Sequence, residues 1–267
     1  MKTVCITGAA GGIGSEFSRL LISQGYRIIL VDKNAIALEG LCQSLPSNLA
    51  CQVDCFPADL LDTIQVKKLY DRLIHESELH GLINCAGLPS KPFLIDDDGY
   101  DEKMINLNLR IPILLTRAAM IPMTKKGSGF IINVCSFAGL VNGFSGPVYN
   151  ATKSGLISFT QSFAKENASR GITVQALCPG KVATEFEMEL ETSLVVPKPL
   201  LLSVQQVVQE SLNDLNKKRV ISIPGRAYRL LALFDATNGT RIYVKFIYLL
   251  MKVGVIPKAT FSNKSNA

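Results

Sequence analysis

Short apolar segments that alternate with helical patterns are the feature of this sequence that most restricts its fold. Strands buried on both faces have continuous apolar runs, and an intervening helix returns the chain so that consecutive strands run parallel. The pattern therefore predicts an α/β fold, a doubly wound parallel sheet of about seven strands with helices on both faces. The expected strands are Thr3 to Thr7, Arg27 to Val31, Ala50 to Phe56, Gly81 to Asn84, Gly129 to Cys135, Ile172 to Leu177 and Val220 to Ile223.

The segment between the first two strands is typical of an amphipathic helix. Ile13, Phe17 and Leu21 are four residues apart, and Gly25 follows as a C-terminal stop. Ser203, with a glutamine three residues later, predicts the capped start of another helix that runs to about residue 216. Further helices are expected over Asp62 to Ser77, roughly 97 to 123 and roughly 148 to 169.

Length and composition favour a single globular domain. Of the 267 residues 48% are apolar and 19% are charged, which is enough apolar material for a buried core. The net charge of +6 is spread along the chain, and the most obvious basic run, Lys217 to Arg219, is short. A nucleic-acid partner would require a longer basic stripe with interleaved aromatic residues, so we expect no nucleic-acid partner.

Seven cysteines are distributed over the chain, most of them inside apolar runs. We interpret them as small buried hydrophobic residues with reduced thiols, which indicates a cytoplasmic protein. Cys51 and Cys55 are close in sequence, but two histidines and no CxxC motif give little support for a zinc site, so no metal is expected. No signal peptide is expected either, because glycines interrupt the first apolar run.

A glycine-rich loop, Thr7-Gly8-Ala9-Ala10-Gly11-Gly12-Ile13-Gly14, lies between the first strand and the first helix. Glycines let the backbone approach a pyrophosphate, whose charge is favoured by the N–H groups and dipole at a helix N-terminus. Asp32, eighteen residues after Gly14 at the end of the second strand, can accept hydrogen bonds from an adenosine ribose. A glycine cluster or a strand-end aspartate alone is also compatible with a structural turn, but their spacing favours a dinucleotide site.

Tyr149 and Lys153 are four residues apart in an expected helix and therefore lie on one face. A neighbouring ammonium favours the phenolate and so lowers the pKa of a tyrosine, which is ordinarily about 10. The pair can then perform acid/base chemistry. Ser136, thirteen residues before Tyr149 at the end of the fifth strand, can hydrogen-bond the same substrate oxygen. Taken alone, the Tyr149–Lys153 spacing is common by chance and is also compatible with a surface tyrosine beside a solvated lysine.

Six motifs in this order and spacing resemble the single-domain branch of the short-chain dehydrogenase/reductase family. They are Thr7 to Gly14, Asn84-Cys85-Ala86-Gly87, Asn108, Ser136, Tyr149 with Lys153, and Pro179-Gly180. The resemblance implies a Rossmann-like domain over 1 to 225, with a substrate loop at 180 to 203, followed by a C-terminal extension over 226 to 267. It also implies an oxidoreductase that interconverts an alcohol and a ketone or aldehyde with NAD(P)(H).

The same resemblance implies a role in catalysis for four residues. Tyr149 would be the acid/base, and Ser136 would orient and stabilise the substrate oxygen. Lys153 would lower the pKa of Tyr149 and hold the nicotinamide ribose, while Asn108 would support a water that relays protons. The hydride chemistry would belong to the cofactor, which the protein positions.

The implied cofactor contacts, besides Tyr149 and Lys153, fall into three groups. They are Gly8, Gly12, Ile13 and Gly14 at the pyrophosphate, Asp32, Asp59, Leu60, Asn84, Ala86 and Gly87 at the adenosine side, and Pro179, Gly180, Val182 and Thr184 at the nicotinamide. We expect NAD rather than NADP, because Asp32 would repel the additional phosphate of NADP. Gly11 also stands where NADP-preferring relatives often carry a basic residue.

Two alternatives accompany this prediction. A dinucleotide-sensing regulator can have the same fold, but such sensors typically lose the four catalytic residues, which are all present here. Epimerases and dehydratases of the longer family branch carry a sizeable C-terminal substrate domain, for which the roughly forty residues after Gly225 are too few. Cys85 departs from the second asparagine often found in its motif, which removes a side-chain amide but leaves the backbone contacts.

The loops expected to border the active site are rich in apolar residues. This favours a hydrophobic substrate such as a sterol, a retinoid or a long-chain acyl carbonyl, although the same residues could instead pack the lid of the site. They are Leu88, Phe93, Leu94, Phe137, Phe144, Val182, Phe186, Met188, Leu194, Val195 and Val196.

The segment from 241 to 257 is apolar but carries Lys245 and Lys252. It is short for a membrane-spanning helix, which needs about 20 apolar residues. We interpret it as a cap on a partner subunit or on the pocket, or as a helix at a membrane surface, which would make the protein peripherally membrane-associated. The apolar helices around Asn108 and Tyr149 favour a homodimer or homotetramer, as in relatives.

Overall fold

The computed structural model describes residues 1–45, 52–91, 98–141, 146–184 and 200–234. Within these ranges the chain forms one parallel sheet in the order β3-β2-β1-β4-β5-β6-β7, with helices on both faces. The predicted doubly wound α/β fold is therefore confirmed. The strands are β1 (Thr3–Thr7), β2 (Arg27–Asp32), β3 (Val53–Pro57), β4 (Leu79–Asn84), β5 (Gly129–Val134), β6 (Ile172–Leu177) and β7 (Ile221–Ser222).

Most of the helices follow the predicted pattern, and the last one lies in the C-terminal extension, where the sequence pattern predicts no bounds for it. The helices are α1 (Gly12–Ser23), α2 (Ala35–Ser44), α3 (Thr63–Ile74), α4 (Tyr100–Ile105), α5 (Ile111–Lys126), α6 (Pro147–Glu166), α7 (Val204–Asn216) and α8 (Arg226–Phe234). The sequence pattern misses α2, because only Leu38 and Leu41 of this helix are buried and its apolar residues give no clear stripe. It also misses the π-helical turn Asn106–Arg110, which joins α4 to α5.

The capped start of α7 is confirmed. The hydroxyl oxygen of Ser203 accepts a hydrogen bond of 3.1 Å from the backbone N–H of Gln206. The helix α3 begins in the same way, since the Asp62 carboxylate accepts from the N–H of Ile64 at 2.8 Å.

The core lies on both faces of the sheet. Val4 and Ile6 of β1 point into one apolar cluster with α1 and α7, whereas Cys5 between them points into a second cluster with α3 and α5. The alternation follows from the two-residue period of a strand. Because the chain builds the sheet outward from β1 on one side and from β4 on the other, the carboxyl ends of β1 and β4 flank the point where strand order reverses.

The interpretation of all seven cysteines as buried free thiols is wrong for Cys42 and Cys55. Their sulfur atoms form a disulfide that links α2 to the edge strand β3, and Cys55 is exposed. The proximity depends on how α2 packs beside β3, which residue spacing does not show. Cys5, Cys135 and Cys178 are buried free thiols as predicted, and Cys51 lies outside the described residues.

In the described part of the chain, one helical stretch is long and apolar enough to cross a membrane, by length and composition. It is Tyr100–Lys126, and half of its most apolar portion is buried inside the protein. Burial against the sheet accounts for the apolar residues on the inner side of this stretch. The segment from 241 to 257 lies outside the described residues, so its position remains a prediction.

A four-membered charge network ties the amino ends of β2 and β3 to α3. Arg27 pairs with Asp54 at 3.4 Å and with Glu76 at 3.1 Å, and Arg72 pairs with the same two carboxylates at 3.1 and 2.9 Å. The Glu76 side chain is only 8% exposed. Glu76 therefore interacts with two guanidinium groups at a position where solvent screens the charges only weakly.

We expect Glu76→Gln to lower the free energy of unfolding by about 1–3 kcal/mol, because two partly buried cations lose the more buried of the two counter-charges that they share. Urea denaturation measures the change. Asp71→Asn is the control, since the Lys67–Asp71 pair is exposed and should contribute less than about 0.5 kcal/mol. Equal effects of the two substitutions would contradict a structural role for the network.

Candidate active site

A cavity of about 260 Å³ lies at the carboxyl ends of the parallel strands. Its walls come from the glycine-rich loop, from the ends of β2, β4 and β5, and from the residues that follow β6. The cavity therefore occupies the point of strand-order reversal, where open α/β sheets bind their ligands.

The glycine-rich loop has a conformation that side chains would obstruct. Gly8 has a φ of +64°, and a Cβ there would lie 2.8 Å from the backbone of Ala86. A Cβ on Gly14 would lie 2.1 Å from the carbonyl oxygen of Gly8, and one on Gly12 would lie 2.7 Å from the side chain of Thr184. The loop thus turns tightly into α1 and presents the N-terminal N–H groups of that helix toward the cavity.

Thr7 connects this loop to the segment after β4. Its hydroxyl oxygen accepts hydrogen bonds from the backbone N–H groups of Cys85 at 3.1 Å and Ala86 at 3.2 Å. Thr7 is 2% exposed, so these bonds are shielded from water. The two walls of the cavity are held together by one buried hydroxyl.

Asp32 lies at the rim of the cavity at the end of β2. One carboxylate oxygen accepts from the N–H of Ala10 at 3.1 Å, and the other accepts from the N–H of Asn34 at 3.0 Å. These bonds fix the orientation of the carboxylate and join it to the glycine-rich loop. Lys33 also lines the cavity.

Ser136, Tyr149 and Lys153 all line the cavity, as the sequence predicts. Tyr149 and Lys153 are one turn apart on α6, and the Lys153 Nζ lies 5.6 Å from the centre of the Tyr149 ring. Ser136 caps a short 3₁₀ helix over Phe137–Gly139. A Cβ on Gly139 would lie 2.8 Å from the backbone of Lys153, so this glycine lets the 3₁₀ helix pack directly on α6.

The charge of Lys153 is buried. The side chain is 5% exposed, and its ammonium donates a hydrogen bond of 3.0 Å to the carbonyl oxygen of Val134. Burial lowers the pKa of Lys153 below its ordinary value. Burial also raises the pKa of the neighbouring Cys85 thiol to about 12, so this thiol is neutral at physiological pH.

Asn108 lies behind the cavity wall and does not line the cavity. It is fully buried in the π-helical turn, where its side chain accepts from the N–H of Leu88 at 2.7 Å and donates to the carbonyl oxygen of Leu88 at 3.0 Å. A Cβ on Gly87 would lie 3.0 Å from the Asn108 side-chain oxygen and 3.7 Å from the Lys153 Nζ. Gly87 therefore separates the two side chains without filling the space between them.

Two further predicted contacts also lie outside the cavity lining, namely Gly14 and Asn84. Gly14 serves the packing of α1 on the loop. Asn84 is 2% exposed, and its amide donates to the side-chain oxygen of Asn133 at 2.8 Å between β4 and β5. The remaining predicted residues line the cavity: Gly8, Gly12, Ile13, Asp32, Asp59, Leu60, Ala86, Gly87, Ser136, Tyr149, Lys153, Pro179, Gly180, Val182 and Thr184.

The structure adds lining residues that the motifs do not contain. Val31 and Val134 stand at or next to the carboxyl ends of their strands, and Ala58 and Cys135 follow β3 and β5 directly. These four residues could have been predicted from the sequence, because each lies at or near the carboxyl end of an expected strand. Leu107 comes from the π-helical turn, which no pattern predicts.

Of the residues expected to contact an apolar substrate, Leu88 and Val182 line the cavity. Phe137 is buried and packs edge-on against Tyr228, with ring centres 5.0 Å apart. The others lie outside the described residues: Phe93, Leu94, Phe144, Phe186, Met188, Leu194, Val195 and Val196.

Comparison with known proteins identifies the class. The model of the short chain dehydrogenase family matches residues 2–194. A 3-oxoacyl-[acyl-carrier-protein] reductase of Rickettsia typhi is 35% identical over 190 residues, which is 71% of this chain and 76% of the relative. Carbonyl reductase family member 4 of Danio rerio is 32% identical over 197 residues, or 73% of this chain and 81% of the relative. The chain therefore belongs to the short-chain dehydrogenase family of oxidoreductases.

A solved structure supports the same assignment. A short-chain dehydrogenase from Sphingobium yanoikuyae, determined in complex with NADPH, superposes with a TM-score of 0.80 at 27% identity. The superposition covers 92% of this chain and 95% of that protein. The Rossmann-like fold and a site of the nicotinamide-dinucleotide-binding type are thus shared with known members.

The Thr7 hydroxyl provides a test of how the cavity is built. We expect Thr7→Val to lower the free energy of unfolding by about 1–3 kcal/mol, because the N–H groups of Cys85 and Ala86 would lose their buried acceptor. Thermal or urea denaturation measures this loss. Thr7→Ser keeps the oxygen and should be the milder substitution, so a serine variant as unstable as the valine variant would contradict the role of the hydroxyl.

Proposed function

We propose that this protein is an NAD(P)(H)-dependent oxidoreductase that interconverts an alcohol and a ketone or aldehyde. The observation that carries the proposal is that Ser136, Tyr149 and Lys153 line the same cavity as the glycine-rich loop. The reductase names of the similar proteins support carbonyl reduction as one direction of the reaction. We propose a cytoplasmic location on the same basis.

The residues of the cavity fit a dinucleotide. The glycine-rich loop and the first residues of α1 line the cavity, so the N–H groups at the N-terminus of this helix can bind a pyrophosphate. The carboxylate of Asp32 is held at the rim, where it can accept hydrogen bonds from ribose hydroxyls. When bound, the dinucleotide supplies or accepts the hydride.

In this mechanism side chains of the protein donate and accept the proton. The Tyr149 hydroxyl donates a proton to the substrate oxygen during reduction and accepts it during oxidation. The Lys153 ammonium, one helical turn away, stabilises the phenolate, and burial strengthens this interaction. The Ser136 hydroxyl donates a hydrogen bond to the same substrate oxygen and orients it toward Tyr149.

The Asn108 side chain is hydrogen-bonded to Leu88, so a different part of this residue must support the water that relays protons. Both polar ends of its amide are engaged by Leu88, so the side chain positions the loop after β4. We propose that the backbone carbonyl of Asn108 supports the proton-relaying water, because a π-helical turn changes the usual helical hydrogen-bonding register. The proton relay from Lys153 would then pass through a water that is held by the backbone of Asn108.

We expect Tyr149→Phe to reduce kcat by at least about 100-fold, the lower end of what general acid catalysis contributes. Binding of NAD(H), measured by titration calorimetry, should stay within about threefold of wild type, because the ring is retained. Tyr70→Phe, on α3 away from the cavity, is the control and should retain full activity. Comparable kcat in Tyr149→Phe would refute the mechanism, whereas dinucleotide binding without turnover in the wild-type protein would favour the regulator alternative.

We also propose that NAD is preferred over NADP. Two like charges about 4 Å apart repel by roughly 1 kcal/mol in water and by several times that near a protein surface, so Asp32 would disfavour an additional ribose phosphate. Because the similar Sphingobium yanoikuyae protein was solved with NADPH, family membership does not support this preference. It rests on the position of the Asp32 carboxylate.

The expected preference for NAD is at least tenfold in kcat/KM, and Asp32→Ala should reduce it by favouring NADP. Steady-state kinetics with both cofactors at saturating substrate measure it. The control is Lys33→Ala, which removes the adjacent cation and should lower kcat/KM with NADP but not with NAD. A wild-type preference for NADP would mean that Asp32 does not face the adenosine ribose.

For the substrate we propose an apolar carbonyl compound, because Leu88, Leu107 and Val182 present apolar side chains to the cavity. A panel of lipophilic alcohols and ketones assayed with both cofactors would identify its class.

We further propose a homo-oligomer, since Ile105 and Ile121 of the α4–α5 stretch are 46% and 39% exposed, as expected of a face that another subunit covers.

A further inference from the structure

Tyr228 on α8 lies outside the part of the chain that the family model matches. That match ends at residue 194, whereas Tyr228 is contributed by the last helix that the structure describes. The side chain is nevertheless 7% exposed and belongs to the main apolar cluster. Its ring packs edge-on against Phe137, next to Ser136.

The hydroxyl of Tyr228 makes two hydrogen bonds to the backbone after β6. Its oxygen accepts from the N–H of Lys181 at 2.9 Å, and its O–H donates to the carbonyl oxygen of Leu200 at 2.8 Å. The ring covers Gly180, since a Cβ on that glycine would lie 1.9 Å from the ring carbon that bears the hydroxyl. Tyr228 therefore contacts this backbone with both its ring and its hydroxyl.

The segment that Tyr228 holds runs across the cavity. We call residues 180–184 the strap, of which Gly180, Val182 and Thr184 line the cavity. Thr184, at its far end, lies over the glycine-rich loop, since its side chain is 2.7 Å from where a Cβ on Gly12 would be. The strap thus spans the distance from the Tyr228 ring to the start of α1.

Backbone pairing with Leu202 supports the middle of the strap. The Leu202 N–H donates to the carbonyl oxygen of Lys181 at 2.9 Å, and the Ala183 N–H donates to the carbonyl oxygen of Leu202 at 3.0 Å. This is a single isolated bridge between parallel segments, so it provides little rigidity by itself. The Tyr228 hydroxyl adds a side-chain anchor to the same short pairing.

Tyr228 is itself held in place. Gly225, with a φ of +84°, turns the chain into α8, and its N–H donates to the Glu210 carboxylate on α7 at 3.1 Å. The same carboxylate pairs with Arg229 at 2.6 Å, next to Tyr228 in the helix. The anchor is therefore fixed to α7, which is packed on the sheet.

We propose that Tyr228 is a positioning residue that holds the strap against a bound dinucleotide. The proposal rests on the proposed dinucleotide-dependent function of the cavity. The strap forms part of the cavity lining, and the Tyr228 hydroxyl keeps it in the conformation that contacts the ligand. Removal of the hydroxyl leaves the ring packing in place and allows the strap to fluctuate.

The test compares Tyr228→Phe with wild type in two measurements. Titration calorimetry of the full-length protein with NAD(H) and NADP(H), at a temperature where both proteins are folded, should show about three- to tenfold weaker binding, the effect of losing the hydrogen bond that the hydroxyl makes to the strap. In kinetics the KM for the dinucleotide should rise by a similar factor while kcat changes less than about twofold. Hydrogen exchange in the absence of ligand should show faster exchange of the Lys181 amide.

Tyr26→Phe is the matched control, because this ring packs against Phe130 at the amino ends of the strands and the substitution removes the same atom. It should leave dinucleotide affinity and Lys181 exchange unchanged. Wild-type affinity in Tyr228→Phe, or unchanged exchange at Lys181, would overturn the positioning role alone. If wild-type protein bound no dinucleotide, both the proposed function and this inference would fail.

Discussion

The close approach between the glycine-rich loop and the segment after β4 is the contact on which the rest of the site depends. Gly8 can adopt its left-handed conformation and lie against the backbone of Ala86 because it has no side chain. Thr7 then satisfies the N–H groups of Cys85 and Ala86, which would otherwise be buried without an acceptor. Reversal of the strand order opens a crevice at this point, and these contacts set its width.

The buried ammonium of Lys153 is the least favourable feature of the site for stability and the most useful one for chemistry. Removing a charged group from water is costly, and the hydrogen bond to the Val134 carbonyl offsets only part of that cost. The lowered pKa of Lys153 expresses this cost. A cation in such surroundings interacts strongly with any anionic group nearby, so the low polarity that destabilises the lysine also strengthens its effect on Tyr149.

Much of this architecture could be predicted from the sequence because it depends on local patterns. The limits of β1 and β6 follow from their apolar runs, and the cap at Ser203 follows from the residue type and spacing. The spacing of Tyr149 and Lys153 predicts their shared helical face, whereas the bond from Lys153 to the Val134 carbonyl depends on how α6 packs on β5. The displacement of Asn108 from the cavity has a similar origin, because the π-helical turn is not visible as a spacing pattern.

Long-range packing also explains the features that motif reasoning missed. The Cys42–Cys55 disulfide and the Tyr228 contact with Gly180 each join two segments that no sequence pattern connects. A motif identifies Pro179-Gly180 as important but does not indicate what occupies the space beside Gly180. That space is filled by a ring from beyond the region that the family model matches.

This arrangement divides the site between two parts of the chain. The side of the cavity formed by the glycine-rich loop and by the ends of β2 and β4 lies within the family match, and its geometry is fixed by glycines and backbone hydrogen bonds. The backbone that lines the cavity after β6 is held by α8 through Tyr228 and, behind it, by Glu210 on α7. Substitutions in α7 and α8 can therefore change the position of this backbone without altering the glycine-rich loop.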